Sequence, residues 1–128
     1  MSNFNIPDEN VISKMRDMLS IASDMTRLKI MLSLLDESKC CCDEGHKHSN
    51  CGCCKEKSCM IEKCVSEIMV DVNASQSLIS HQLKVLKDFD LVSTRRAGTK
   101  IYYSLKDGHV KQLISVVLEH ALEEEDHD

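Results

Sequence analysis

Residues 75–105, SQSLISHQLKVLKDFDLVSTRRAGTKIYYSL, decide the fold. Ser75 is a helix N-cap, and Leu78, Ile79, Leu83, Leu86 and Phe89 recur at helical spacing as a buried stripe. Ser77, Ser80, His81 and Lys84 fall on the other face. Residues 91–96 and 100–105 then alternate and are β-rich, joined by Ala97-Gly98-Thr99, a tight hairpin signal. Upstream, 64–70 (CVSEIMV) is helical, with the short turn DVNAS between the two helices. Helix, turn, second helix and two-stranded hairpin is the winged helix-turn-helix order. The expected class is mainly α with a β-hairpin wing.

The second helix of such a motif enters the major groove. Gln76 can pair with adenine through its amide; Ser77 and Ser80 are small two-way hydrogen-bonders; His81 and Lys84 reach bases or phosphates. Arg95, Arg96 and Lys100 surround Gly98 at the hairpin tip and suit phosphates or the minor groove. With the cap Ser75, these are the candidate DNA-binding residues, and operator double-stranded DNA is the expected partner. A solvated helix beside a basic hairpin is the bland alternative.

Further out, 9–20 carries apolar residues at 11, 12, 15, 18 and 19, and Ser23 or Asp24 caps a second helix with apolar positions 25, 28, 31, 32 and 35. After Asp107 comes a last helix whose apolar stripe is Val110, Leu113, Ile114, Val117, Leu118 and Ala121. The stripes of the first and last helices exceed what one small domain needs, which points to a homodimer packed through them. The chain of 128 residues reads as one domain with an insertion at about 37–63. Without Trp, and with two Tyr and two Phe, the core must be aliphatic.

The net charge of −5 is unevenly spread. Residues 75–106 hold six Lys and Arg against Asp88 and Asp90, a local +4 that can meet phosphates. Residues 107–128 hold seven acids against Lys111, a local −6 that repels DNA and attracts cations. The last helix also carries Asp107, His109, His120 and Glu123, all possible ligands for a divalent ion. At about 100° per residue, His109 and His120 lie on one face, but at about 1.5 Å rise they are about 16 Å apart. A metal–nitrogen bond is about 2 Å long, so one helix cannot wrap all four around one ion. Two antiparallel copies can, with Asp107 and His109 of one chain meeting His120 and Glu123 of the other. A solvated acidic helix end is the alternative.

SHQLKVL and the hairpin after it resemble the recognition helix and wing of the ArsR/SmtB family of metal-responsive repressors; IASDMTRLKIMLSLL resembles that family's early helix pair. The resemblance spans roughly 9–36 and 64–124, and the D-x-H, ten residues, H-x-x-E pattern occurs with it in order. It implies an apo dimer that holds an operator and is released by metal, so that efflux or sequestration genes are expressed. It also implies a zinc-type site of Asp107, His109, His120 and Glu123. Many zinc sensors have His at the last position; an oxygen ligand there still suits Zn(II) or cobalt. In the family a ring hydrogen bond runs from the helix-end His to backbone after the recognition helix, which here means His120 and carbonyls near Asp88–Asp90. Some members have a thiolate site on a C-V-C-D stretch; this chain reads Cys64-Val65-Ser66-Glu67 and lacks the second thiol.

The insertion is unusual. Cys40, Cys41, Cys42, Cys51, Cys53, Cys54 and Cys59, with His46, His48 and the nearby Cys64, form a possible second metal site. Thiolates favour zinc, cadmium, lead or Cu(I). Three roles stand open: an additional metal-binding loop that acquires metal for the helix site, the principal sensor of a softer ion, or a redox-sensing or inert loop. A metallothionein-like buffer would leave the basic hairpin unexplained. There is no phosphate loop, nucleophile elbow or catalytic metal motif, so neither an enzyme nor a small-molecule substrate is expected. With no apolar run long enough to span a bilayer and no signal segment, the expected place is the cytoplasm, away from membranes.

Overall fold

The computed structural model describes residues 4–35 and 61–125. Its elements are α1 (Glu9–Ala22), α2 (Met25–Ser33), β1 (Lys63–Cys64), α3 (Val65–Val72), α4 (Gln76–Asp88), β2 (Val92–Ala97), β3 (Lys100–Leu105) and α5 (Gly108–Glu125). The protein is mainly helical with a three-stranded antiparallel wing of order β1-β3-β2.

Short polar side chains start the helices. Asp8 accepts from Val11 N at 3.0 Å, Asp24 from Arg27 N at 3.1 Å, Ser75 from Leu78 N at 3.2 Å and Asp107 from Val110 N at 3.0 Å. Each satisfies an amide that has no partner inside its helix. Asn73 ends α3 in the left-handed region at φ 59°, and its N–H donates to Met69 O. That reversal makes the turn into α4.

The core joins Ile30, Met31 and Leu34 with Ile68 of α3, Ile79, Leu83 and Leu86 of α4, Leu91, Val92 and Leu105 at the sheet, and Val110 and Ile114 of α5. It is aliphatic, with Tyr103 packed against its margin. Several expectations are corrected. On α2 the buried positions are Ile30, Met31 and Ser33, with Leu34 just past its end; Leu28, Leu32 and Leu35 flank them and Met25 is exposed. The stripe is thus rotated towards α3 and α4. Leu78 and Phe89 lie outside the α4 stripe, both exposed. On α5 only Val110 and Ile114 are buried; Leu113, Val117, Leu118 and Ala121 are exposed, because this chain's own core meets only the start of the helix.

The end of the presumed insertion belongs to the fold. Ile61 and Lys63 are buried, and β1 pairs with β3 in the register Lys63↔Tyr103 and Cys64↔Tyr102. The Lys63 ammonium bonds to Asp71 of α3, which also accepts from Ser33 Oγ at 2.7 Å. Burying an ammonium is costly unless it is paired, and this pairing ties the wing's third strand to α2 and α3. No helix among the described residues is long and apolar enough to cross a membrane.

Candidate nucleic-acid interface and metal ligands

Ser75, Gln76, Ser77, Ser80, His81 and Lys84 are all exposed along α4. The helix is held from behind. Gln82 accepts from Arg27 Nη1 at 2.7 Å, while Arg27 Nε donates to Ile21 O at 2.7 Å, so one α2 residue braces both the α1–α2 turn and α4. An element that reads base edges must keep its register, and this brace supplies stiffness.

The wing is paired from Val92↔Leu105 to Ala97↔Lys100, with Gly98 turning the chain at φ 64°. Arg95, Arg96 and Lys100 are exposed. Between the start of α3 at Cys64–Ser66, Ser80 of α4 and the wing residues Thr99–Ile101 and Tyr103 runs an open cleft of about 350 Å³. Helix and wing thus flank a groove.

Arg95 is not simply presented to solvent. Its Nε donates to Glu62 Oε2 at 2.8 Å and Oε1 at 3.0 Å, and its guanidinium lies 5.0 Å from the Tyr102 ring centroid. The hydrogen bond to Glu62 raises the Arg95 pKa above its ordinary value, with the charge attraction adding to it. Nothing in the sequence marked Glu62. It reaches Arg95, 33 residues on, only because β1 adds to the wing.

Of the metal candidates, Asp107 and His109 are brought together. One Asp107 oxygen caps α5, and the other lies 3.9 Å from His109 Nδ1. His109 is almost fully exposed, and His120 and Glu123 are exposed further along the helix. Among the described residues, no three His, Cys, Asp or Glu of one chain gather where an ion could sit. Cys64 is buried at the N-cap of α3; its thiol donates to Glu67 Oε1 at 3.4 Å and lies 3.1 Å from Ser66 Oγ. Cys40, Cys41, Cys42, His46, His48, Cys51, Cys53, Cys54 and Cys59 lie outside the described residues.

Among the described residues, five helices with a braced second helix of a helix-turn-helix and a basic wing define a winged helix-turn-helix protein. Residues 61–94 match the family model described as bacterial regulatory protein, arsR family. It is 31% identical over 110 residues to a transcriptional repressor SmtB homolog of Synechocystis sp., covering 86% of this chain and 65% of that protein. It is 37% identical over 62 residues to a cadmium resistance transcriptional regulatory protein CadC homolog of Staphylococcus aureus, covering 48% and 51%. In fold it is similar to the homodimeric winged helix-turn-helix DNA-binding domain of a possible ArsR-family regulator from Mycobacterium bovis. That likeness has TM-score 0.71 and 20% identity, over 100% of this chain and 96% of the other. The chain thus spans 65% and 51% of the lengths of the two curated relatives.

Proposed function

We propose that this chain is a cytoplasmic, metal-responsive transcriptional repressor. The apo homodimer binds operator DNA through α4 and the wing, and Zn(II) or a similar divalent ion releases it. The observation that carries the reading is the arrangement of α5. Asp107 and His109 are already paired at its start, while His120 and Glu123 follow about three turns on. No single chain converges these donors among the described residues. The helix also exposes Leu113, Val116, Val117, Leu118 and Leu122, and α1 exposes Val11, Met15 and Leu19. An apolar surface of that kind marks an interaction site, and a second α5 laid antiparallel would cover it and complete two metal sites.

The donor set fits the ion. Two imidazoles and two carboxylates suit a borderline divalent metal such as zinc, cobalt or cadmium, with lead a further candidate. When bound, the ion would tie two chains by cross-linking charged groups. Regulation follows by linkage: if metal favours the dimer geometry that grips DNA less well, DNA weakens metal by the same factor. The names of the relatives, a transcriptional repressor and a cadmium resistance regulator, support this reading. The cysteine density of 40–59 favours a second metal-binding segment there, supplying α5 or sensing a softer ion.

The test is fluorescence anisotropy of a duplex from the chain's own promoter, bound by reduced protein and titrated with zinc. Release that is lost in His109→Ala and in His120→Ala supports the α5 site. Binding that zinc leaves untouched counts against it, and cadmium, lead, Cu(I) and oxidant then test the cysteine segment.

A further inference from the structure

We propose that Glu62 is an electrostatic brake on the wing: its carboxylate occupies the guanidinium of Arg95 and lowers the affinity of the interface for a phosphate backbone. The inference rests on the DNA-binding reading above and assigns a residue outside the helix and wing tip.

Three observations carry it. Glu62 is fixed in place, since Ile61 before it is 4% exposed and Lys63 after it 1%. Glu62 stands just before β1, and its carboxylate meets Arg95 where Arg95 pairs with Tyr102 across β2 and β3. Second, both carboxylate oxygens take the same Nε, and the stack on Tyr102 holds the guanidinium at that spot. Third, the basic surface is small. In 75–106 the cations exceed the acids by four, so cancelling one of them removes a large share of the local field.

A phosphate and a carboxylate compete for the same guanidinium. Exposed ion pairs are weak, so DNA displaces Glu62, but the displaced carboxylate stays near a like charge because its backbone is anchored. The brake therefore costs a few-fold in affinity. Neutralising it should return about one cation to the count of counterions released, which steepens log K against log salt by about 0.9.

The experiment uses the full chain, freed of metal by a chelator, and a labelled 30-base-pair duplex from its own promoter. Binding is measured from about 50 to about 200 mM KCl. The expected result is tighter binding by Glu62→Gln, by about threefold to tenfold at the low-salt end. The advantage should shrink about threefold across the range, as a slope change of about 0.9 requires. Glu62→Ala should behave alike, and in an Arg95→Gln background the gain should fall by at least half. Equal or weaker binding by both Glu62 variants at the wild-type slope would overturn the brake and leave Glu62 as a strut for Arg95. If the wild-type chain binds no duplex even at low salt, the DNA-binding reading fails and the brake with it.

Discussion

Truncating Leu83 and Leu78 separates the packing of α4 from its periodicity. Both are leucines of one helix, and the pattern of the sequence puts both on the buried stripe. In the structure Leu83 is fully buried, flanked on its own face by Ile79 and Leu86, which are equally inaccessible. Leu78 is 40% exposed. Leu83→Ala removes buried methyl groups and leaves a cavity whose lining cannot fully collapse, because α2 and α3 close it from the other side. The cost should lie at about 3–4 kcal/mol, within the range for leucine truncation in a core. Leu78→Ala loses part of the transfer term and opens no enclosed cavity, so about 1 kcal/mol or less is expected. Urea denaturation followed by circular dichroism reads the difference. With a slope of about 2 kcal/mol/M, Leu83→Ala should lower the midpoint by about 1.5–2 M and Leu78→Ala by at most about 0.5 M. Protein concentration must be held constant, since the proposed dimerisation would contribute to the midpoint. Equal losses in the two variants would refute the packing of α4 described here.

Other perturbations address the wing, the dimer and the metal segment. Gly98→Ala should cost about 1 kcal/mol in thermal unfolding: a Cβ there meets nothing within 4 Å, so only the left-handed backbone at φ 64° resists it. Val117→Glu, which puts a charge on the exposed apolar side of α5, should turn the dimer into a monomer by light scattering and weaken DNA binding with it. Lys84→Ala should weaken binding to any duplex about uniformly and flatten the salt slope by about 1 if it meets a phosphate. Deleting residues 40–59 should lower the number of zinc or cadmium ions bound per chain while zinc still releases DNA; loss of zinc-driven release would move the sensor to the cysteines.

The helix-turn-helix and wing were legible because each carries a local signal: Ser75 as a cap, alternation in 91–96 and 100–105, and Gly98 at the turn. The polar face of α4 was legible as what its stripe left over, and every residue read there is exposed. Periodicity does not say which side of a helix the neighbours choose. On α2 they choose Met31, which the stripe from Met25 onward includes, together with Ile30 and Leu34, which it does not. On α5 a regular stripe ran on past the point where one chain's core ends, because a repeat counts apolar faces without saying which chain covers them. Two-residue β1 gives no pattern at all; it exists through long-range pairing with β3. The partnership of Glu62 with Arg95, and of Lys63 with Asp71, depends on that pairing and has no local trace.

The most direct test of the account is metal binding by mixed dimers. His109→Ala and His120→Ala homodimers should each have lost both α5 sites. In a dimer with one chain of each kind, one site carries both lesions and the other is intact. Purified with two different affinity tags and treated to block cysteines, the mixed dimer should recover one tetrahedral Co(II) site and part of the zinc-driven release from DNA. If the mixed dimer binds no more cobalt than either homodimer, the metal is not held between two α5 helices, and the proposed mechanism is wrong.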